Sequence, residues 1–99
     1  IYIVAMEGTR LVAPMLARAL RQVYTVDYDL EGRGLNAQMK AADKGGARAV
    51  MLLGDDEWQR GEVVLKELRT GAQQTVSLDG IVEALDRMLL GDSDETEAP

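Results

Sequence analysis

The sequence predicts an α/β domain in which a mixed five-stranded sheet is flanked by three helices. Short apolar runs typical of buried strands alternate with segments whose apolar residues recur at helical spacing, which indicates parallel crossovers. Two further strand-like segments follow one another late in the chain, so at least one strand is antiparallel. With 99 residues, 46% of them apolar and 4% aromatic, the chain can bury one modest aliphatic core.

The first part of the chain alternates strand and helix patterns. Residues 1–6 form a nearly continuous apolar run, typical of a strand buried on both faces. The apolar residues of 11–20 recur at helical spacing, with Thr9 as the expected N-cap and an end near residue 22. Residues 23–30 alternate between apolar and polar positions, which predicts a second strand.

The middle of the chain begins with a helix that follows a glycine-rich break. The predicted inner stripe of this helix is Leu35, Met39 and Ala42. Residues 47–53 then predict a buried strand, and residues 54–61 predict a polar connector.

The last part of the chain predicts a hairpin and a final helix. Residues 62–68 and 73–76 read as two strands joined by a short turn, and Ser77 is the expected cap of the helix. The final residues are acidic, small and end in proline. We therefore expect a folded domain over residues 1–91 and a disordered acidic tail over residues 92–99.

Composition excludes several kinds of chemistry. The chain has no cysteine and no histidine, which removes disulfides, Cys/His zinc sites, thiolate nucleophiles and the usual imidazole base. No apolar run approaches the roughly 20 residues that a bilayer requires, so we expect a cytoplasmic protein with no membrane partner. Because the chain opens on an apolar run without an initiator methionine, we also expect it to be part of a longer polypeptide.

The charge is distributed unevenly. A net charge of −6 argues against nucleic-acid binding, but residues 1–91 carry 11 basic and 13 acidic side chains, and the remaining four acids lie in the last eight residues. One segment is basic: Arg33, Lys40, Lys44 and Arg48 accompany the single acid Asp43. A local cationic face is therefore possible on an acidic protein.

Two motifs have ordinary alternatives. Gly8-Thr9, between the first strand and the first helix, could let a phosphate rest on helix amides, but an ordinary turn is the favoured interpretation because no P-loop pattern accompanies it. Asp27, Asp29 and Glu31 could hold magnesium at the end of the second strand, or could lie on a solvated strand face.

Two stretches offer nucleic-acid chemistry. In "LEGRGLNAQMK", Arg33 can stack on a base or hold phosphate, and the amides of Asn36 and Gln38 can pair with base edges; a plain helix start is the alternative. In the polar connector, carboxylates such as Glu57 can accept hydrogen bonds from bases and Trp58 can stack on one. The alternative is that Trp58 folds back over the core.

These stretches also carry a resemblance. The run "GRGLNAQMKAADKGGARAVMLLGDDEWQRGEVVLKELRTGAQQTV" over residues 32–76 closely resembles the C-terminal domain of histidyl-tRNA synthetases. The "ADK-x-GAR" stretch, the "LLG" followed by acids, "VVLKEL" and "TGAQ" occur in the family's order, and the likeness extends from residue 1 to about residue 91. Threonyl, prolyl and glycyl synthetases of the same class carry related domains, but "ADK-x-GAR" and "KEL-x-TG" favour histidine.

The resemblance implies the fold of a class II synthetase anticodon-binding domain, which holds tRNA and performs no covalent chemistry. In that family the anticodon lies across the sheet, near the loop after the second strand, the acid after the third strand and the basic residue of the next strand. We predict no catalytic and no metal-binding residue. The predicted tRNA anticodon-binding residues are Gly32, Arg33, Gly34, Asn36, Gln38, Lys40, Glu57, Trp58 and Lys66.

One departure from the family pattern weakens a predicted contact. Many family members carry lysines where this chain has Asn36 and Ala37, so the expected phosphate contact at the start of that helix is weaker here.

The resemblance further implies a parent histidine–tRNA ligase of protein biosynthesis, a homodimeric cytoplasmic enzyme that joins histidine to tRNA through an adenylate. ATP and magnesium would belong to its catalytic domain, and no cofactor is expected in this domain. Two other hypotheses stay open. One is a synthetase-like regulatory or accessory interaction module without RNA binding. The other is a small-ligand or receiver-type domain that uses Asp27, Asp29 and Asp55.

Overall fold

The computed structural model describes residues 1–29 and 33–97, with side chains for residues 1–29 and 33–90. Short 3-10 turns precede the first and last helices. The strands are β1 (Tyr2–Ala5), β2 (Asp27–Tyr28), β3 (Ala49–Leu53), β4 (Glu62–Glu67) and β5 (Gln73–Ser77). The helices are α1 (Val12–Leu20), α2 (Leu35–Lys44), α3 (Asp55–Gln59) and α4 (Ile81–Glu97).

The five strands form one sheet in the order β2-β1-β3-β4-β5. β1 is parallel to both β2 and β3, while β4 is antiparallel to both β3 and β5. One row of paired residues crosses the whole sheet, from Asp27 through Tyr2, Val50 and Lys66 to Gln73. The predicted mixed sheet with three main helices is therefore confirmed.

Two apolar layers lie on opposite faces of the sheet. On one face α1 and α4 pack against alternate strand residues, and the buried ones are Ile3, Met51, Leu53, Val63 and Leu65. On the other face, which we call the α2 face, Ala42 of α2 packs against Val4 and Val50. Because strand side chains alternate between faces, the α2 face also carries Lys66 of β4 and Thr75 of β5.

The turn after β1 differs from its prediction, because Thr9 does not cap α1. Thr9 ends a 3-10 turn over Glu7–Thr9 and is buried. Its hydroxyl donates to the carbonyl of Leu53 at 2.8 Å and accepts the N–H of Met6 at 3.0 Å. The hydroxyl thus ties the turn to the end of β3.

The second strand is much shorter than the predicted span of residues 23–30. Within the described residues 23–29, only Asp27–Tyr28 pairs with β1. The backbone N–H groups of Val23 and Tyr24 both donate to the carbonyl of Leu20, at 2.9 and 2.8 Å. The chain therefore continues to turn after α1 and becomes extended only later.

Two further elements depart from the sequence prediction. Leu35, expected on the inner stripe of α2, is 41% exposed, whereas Gln38 is buried beside Ala42. The connector over residues 54–61 contains the short helix α3, whose five residues are too few to show a helical period.

The end of the domain follows its prediction more closely. Strands β4 and β5 form the predicted hairpin, and the Ser77 hydroxyl accepts the N–H of Asp79 at 3.1 Å in the 3-10 turn that leads into α4. The division into a domain over residues 1–91 and a disordered tail over 92–99 stays a prediction. In the part of the chain that the structure describes, no helix has the length and apolarity needed to cross a membrane.

Candidate functional site

The end of β1 and the start of α2 meet at the side chain of Gln38, which is only 4% exposed. Its Oε1 accepts the N–H of Ala5 at 3.0 Å. Its Nε2 donates to the carbonyl oxygens of Ala5 at 2.8 Å and Arg33 at 2.6 Å. Both amide hydrogens of Gln38 are thus used inside the protein.

Arg33 lies just before α2 and is held by Asp29. The backbone N–H of Arg33 donates to Asp29 Oδ2 at 2.7 Å, and its Nε donates to Oδ1 at 2.9 Å. The Asp29 side chain is 4% exposed, whereas the Arg33 side chain is 43% exposed. A buried carboxylate therefore supports a guanidinium that still faces solvent.

Tyr2 joins this cluster from the α2 face. Burial raises the pKa of Tyr2, the Asp29 carboxylate raises it further, and the nearby Arg33 guanidinium offsets part of that rise. Neither Tyr2 nor the pairing of Asp29 with Arg33 was predicted from the sequence. The four-residue spacing of Asp29 and Arg33 was the available signal, but pairs at this spacing are informative mainly within helices.

A cleft of about 270 Å³ lies at the carboxyl end of β1, in front of this cluster. Its polar lining residues are Glu7, Arg10, Asp29, Arg33 and Gln38. Two guanidinium groups are matched there by two carboxylates. The cleft suits a partner with both donors and acceptors better than it suits a bare phosphate.

Lys66 lies on β4 between Val50 of β3 and Gln73 of β5, on the α2 face. It is half-buried, whereas Gln73 and Thr75 of the neighbouring strand are exposed. Within the described residues, Lys66 forms no ion pair with a carboxylate. A cation without an acidic partner therefore sits beside polar, solvent-facing strand residues.

Asn36 and Lys40 lie one turn apart on α2, on the side away from the sheet, because Gln38 and Ala42 point inward. Both side chains are exposed. Lys40, like Lys66, has no ion-pair partner among the residues described. The helix nevertheless places Lys40 on a different surface from Lys66.

Helix α3 carries Glu57 and Trp58. The Glu57 carboxylate folds over Gly54, where it occupies the space that an added Cβ would need, and it lies 3.8 Å from the guanidinium of Arg60. Trp58 is half-buried and packs against the core of the α1/α4 face. The packing interpretation of Trp58 is thereby confirmed, and a stacking role stays a prediction.

The predicted site contains two glycines, of which Gly34 is among the described residues. Gly32 lies outside the described residues. Gly34 is the N-cap of α2 with φ −68° and ψ 171°, and no atom lies within 4 Å of an added Cβ. Packing in the isolated domain therefore does not require glycine at position 34, although glycine leaves its backbone open beside Arg33.

The acidic residues considered for magnesium do not converge. Asp29 is engaged by Arg33, and Asp27 is exposed at the other end of β2. Glu31 lies outside the described residues. Over the described ranges, no group of three Asp, Glu, His or Cys side chains is arranged to hold a metal ion.

The predicted tRNA-binding residues thus fall into separate groups. Arg33, Gly34 and Gln38 meet at the start of α2, and Lys66 lies on the sheet face that α2 covers in part. The remaining ones occupy other surfaces: Asn36 and Lys40 lie on the outer side of α2, and Glu57 and Trp58 lie on α3. Their contacts with RNA stay predictions.

A family model described as an anticodon binding domain matches residues 1–88. This chain belongs to the anticodon-binding domain family. The anticodon-binding domain is 41% identical over 88 residues to the histidine–tRNA ligase of Desulforudis audaxviator, covering 88% of this chain and 21% of that protein.

Solved structures agree with the sequence comparison. Histidyl-tRNA synthetase from Nostoc sp. PCC 7120 superposes with a TM-score of 0.79 at 32% identity, over 89% of this chain and 22% of that one. The synthetase of S. aureus gives a TM-score of 0.77 at 33% identity, over 84% of this chain and 22% of that one. The chain thus spans about a fifth of these relatives, and the predicted resemblance to the histidyl-tRNA synthetase domain is confirmed.

Proposed function

We propose that this anticodon-binding domain holds the anticodon loop of histidine tRNA for a parent histidine–tRNA ligase. The histidine–tRNA ligases that match most of the chain support this assignment. Aminoacylation, with its ATP and magnesium, belongs to a catalytic domain elsewhere in the parent, which we propose to be a homodimer of the cytoplasm. This domain supplies binding and orientation alone.

Lys66 is the observation on which the RNA-binding part of the proposal depends. Its ammonium group has no carboxylate partner among the described residues, and its neighbours Gln73 and Thr75 on β5 are polar and exposed. Single-stranded RNA loops are recognised by cations that meet phosphates and by side chains that meet unstacked bases. An open, polar strip of sheet with a central cation meets both needs.

Arg33 extends this surface toward the end of β1. Its guanidinium stands above the sheet end with 43% of the side chain exposed, and it is planar, so it can stack on a base or hold a phosphate in two hydrogen bonds. Gly34 beside it leaves room for a backbone to approach. We place the loop of the tRNA between Arg33 and Lys66.

A hairpin RNA that carries the histidine anticodon tests this function. We expect the 99-residue chain to bind it with an affinity that falls as salt rises, because phosphate contacts release counterions. Lys66→Ala removes one such contact, so the negative slope of log K against log salt becomes shallower by roughly 0.7, the value for one contact to a single strand. Fluorescence anisotropy across salt concentrations measures both quantities.

Arg18→Ala is the matched control, because Arg18 is exposed on α1, on the opposite side of the sheet. It changes the net charge by the same amount and leaves the slope unchanged. Absent binding by the unaltered chain would exclude this function and favour the regulatory or accessory module. Salt-insensitive binding would contradict the proposed phosphate contacts. Equal effects of Lys66→Ala and Arg18→Ala on the salt slope would show that Lys66 is not part of the interface with RNA.

A further inference from the structure

Gln38 pairs with the backbone of β1 as a neighbouring strand would. Among the described residues, the pairing of β2 with β1 covers Tyr2 and Ile3 and does not include Ala5, the last residue of β1. The amide of Gln38 fills this position, since it accepts from the N–H of Ala5 at 3.0 Å and donates to its carbonyl at 2.8 Å. This double contact explains why a polar side chain is buried on α2.

The same amide reaches the segment before α2. Gln38 Nε2 donates to the carbonyl of Arg33 at 2.6 Å, so one buried side chain connects the end of β1 to the backbone of Arg33. Ala5 belongs to β1, which pairs with β3 along its whole length. The Gln38 amide therefore ties the carbonyl of Arg33 to an interior strand of the sheet.

Asp29 holds the backbone N–H and the guanidinium of Arg33. Its buried carboxylate accepts from both the backbone N–H and the Nε of Arg33, at 2.7 and 2.9 Å. Backbone and guanidinium are thus anchored by the same carboxylate. Holding a long side chain in one orientation before binding avoids the entropy that its ordering would otherwise cost.

We propose that Gln38 and Asp29 are positioning residues, which hold Arg33 ready for contact with RNA, and that Gln38 makes no contact with RNA itself. This inference rests on the proposed function of the domain. We therefore do not expect the Gln38 amide to pair with a base edge, because both of its hydrogens are engaged by Ala5 and Arg33.

A double-mutant cycle tests whether Gln38 acts through Arg33. Gln38→Met keeps the shape of the side chain and removes its hydrogen bonds. We expect it to weaken binding of the histidine anticodon hairpin by roughly two- to tenfold, the factor for ordering one long side chain at an interface. In an Arg33→Ala background the same substitution causes no further loss.

The outcomes distinguish a failure of the positioning role of Gln38 from a failure of RNA binding by the domain. If the two losses add, Gln38 contacts RNA independently of Arg33 and the inference is overturned. If the unaltered chain does not bind the hairpin, the proposed function fails, but a measurement without RNA still decides on positioning. In the free protein, NMR should show the Arg33 Nε–H in slow exchange with solvent.

Asp29→Asn keeps the positioning testable if Gln38→Met does not fold. It removes the charge that holds the guanidinium, so we expect exchange of the Arg33 Nε–H to accelerate in the RNA-free protein. Arg60 serves as an internal control, because its Nε donates to Glu62 at 3.0 Å on an exposed surface far along the chain. Unchanged exchange at Arg33 would show that Asp29 does not order it.

Discussion

At the scale of single residues, buried polar side chains connect segments that are far apart in the chain. Thr9 joins the turn after β1 to the end of β3, through a hydrogen bond between residues 44 positions apart. Gln38 joins α2 to Ala5 across 33 positions. Neither contact could be predicted, because the partner of a polar side chain depends on the folded topology and not on local periodicity.

The buried hydroxyl of Thr9 should matter for stability. Thr9→Val keeps the shape but leaves the N–H of Met6 and the carbonyl of Leu53 without this partner. We expect the free energy of unfolding to fall by about 1–3 kcal/mol, the usual cost of an unsatisfied buried group. Urea denaturation measures it, and Thr75→Val on the exposed strand β5 is the control. Equal stabilities of the two variants would contradict the role given to Thr9.

At the scale of elements, periodicity located the strands and helices that bury a continuous apolar face. It predicted β1, β3, the hairpin and α2 within a few residues of their observed bounds. It overestimated β2, because alternation in residues 23–30 does not show that the chain is still turning after α1. It placed Lys66 on a strand and Arg33 in the break before α2, but it could not show that Arg33 is anchored by Asp29.

The start of α2 offers a test that separates stability from binding. Gly34 has the extended backbone of an N-cap and open space around its Cα, but it provides no side-chain cap. Gly34→Ser should therefore raise the free energy of unfolding by a few tenths of a kcal/mol. The added side chain should also weaken binding of the anticodon hairpin, because it obstructs a backbone that we expect to face RNA.

Gly80→Ser is the comparison, since Gly80 also has no neighbour within 4 Å and lies before α4, outside the proposed site. For both variants, urea denaturation measures the free energy of unfolding and fluorescence anisotropy measures binding of the hairpin. If Gly34→Ser binds the hairpin as tightly as the unaltered chain, RNA does not approach this part of the backbone.

At the scale of the whole molecule, the net charge of −6 opposes an RNA partner. Four of the acids lie together in the sequence, at Asp92, Asp94, Glu95 and Glu97. Composition therefore predicted a global repulsion, while the proposed binding surface depends on a few cations placed by the fold. We expect the affinity for the hairpin to reflect the balance between the two.

Replacing these four acids by their amides should strengthen binding of the hairpin at low salt. The net charge then changes from −6 to −2, since 13 acidic side chains remain against 11 basic ones. The gain should shrink at high salt, because the screening length falls from about 10 Å at 0.1 M to about 3 Å at 1 M. Glu83→Gln on α4 changes the charge by one and is the control. A gain that persists at 1 M salt would contradict a purely electrostatic effect.

The sheet order also dictates when the domain can begin to fold on the ribosome. Tyr2 pairs with Val50, and β3 must in turn pair with β4, which lies later still. A nascent chain that ends before Ala49 lacks the central partner of its first strand, and the apolar side of α1 has little to pack against. More than half of the domain must therefore emerge before its first strand meets the strand that pairs with it along its whole length.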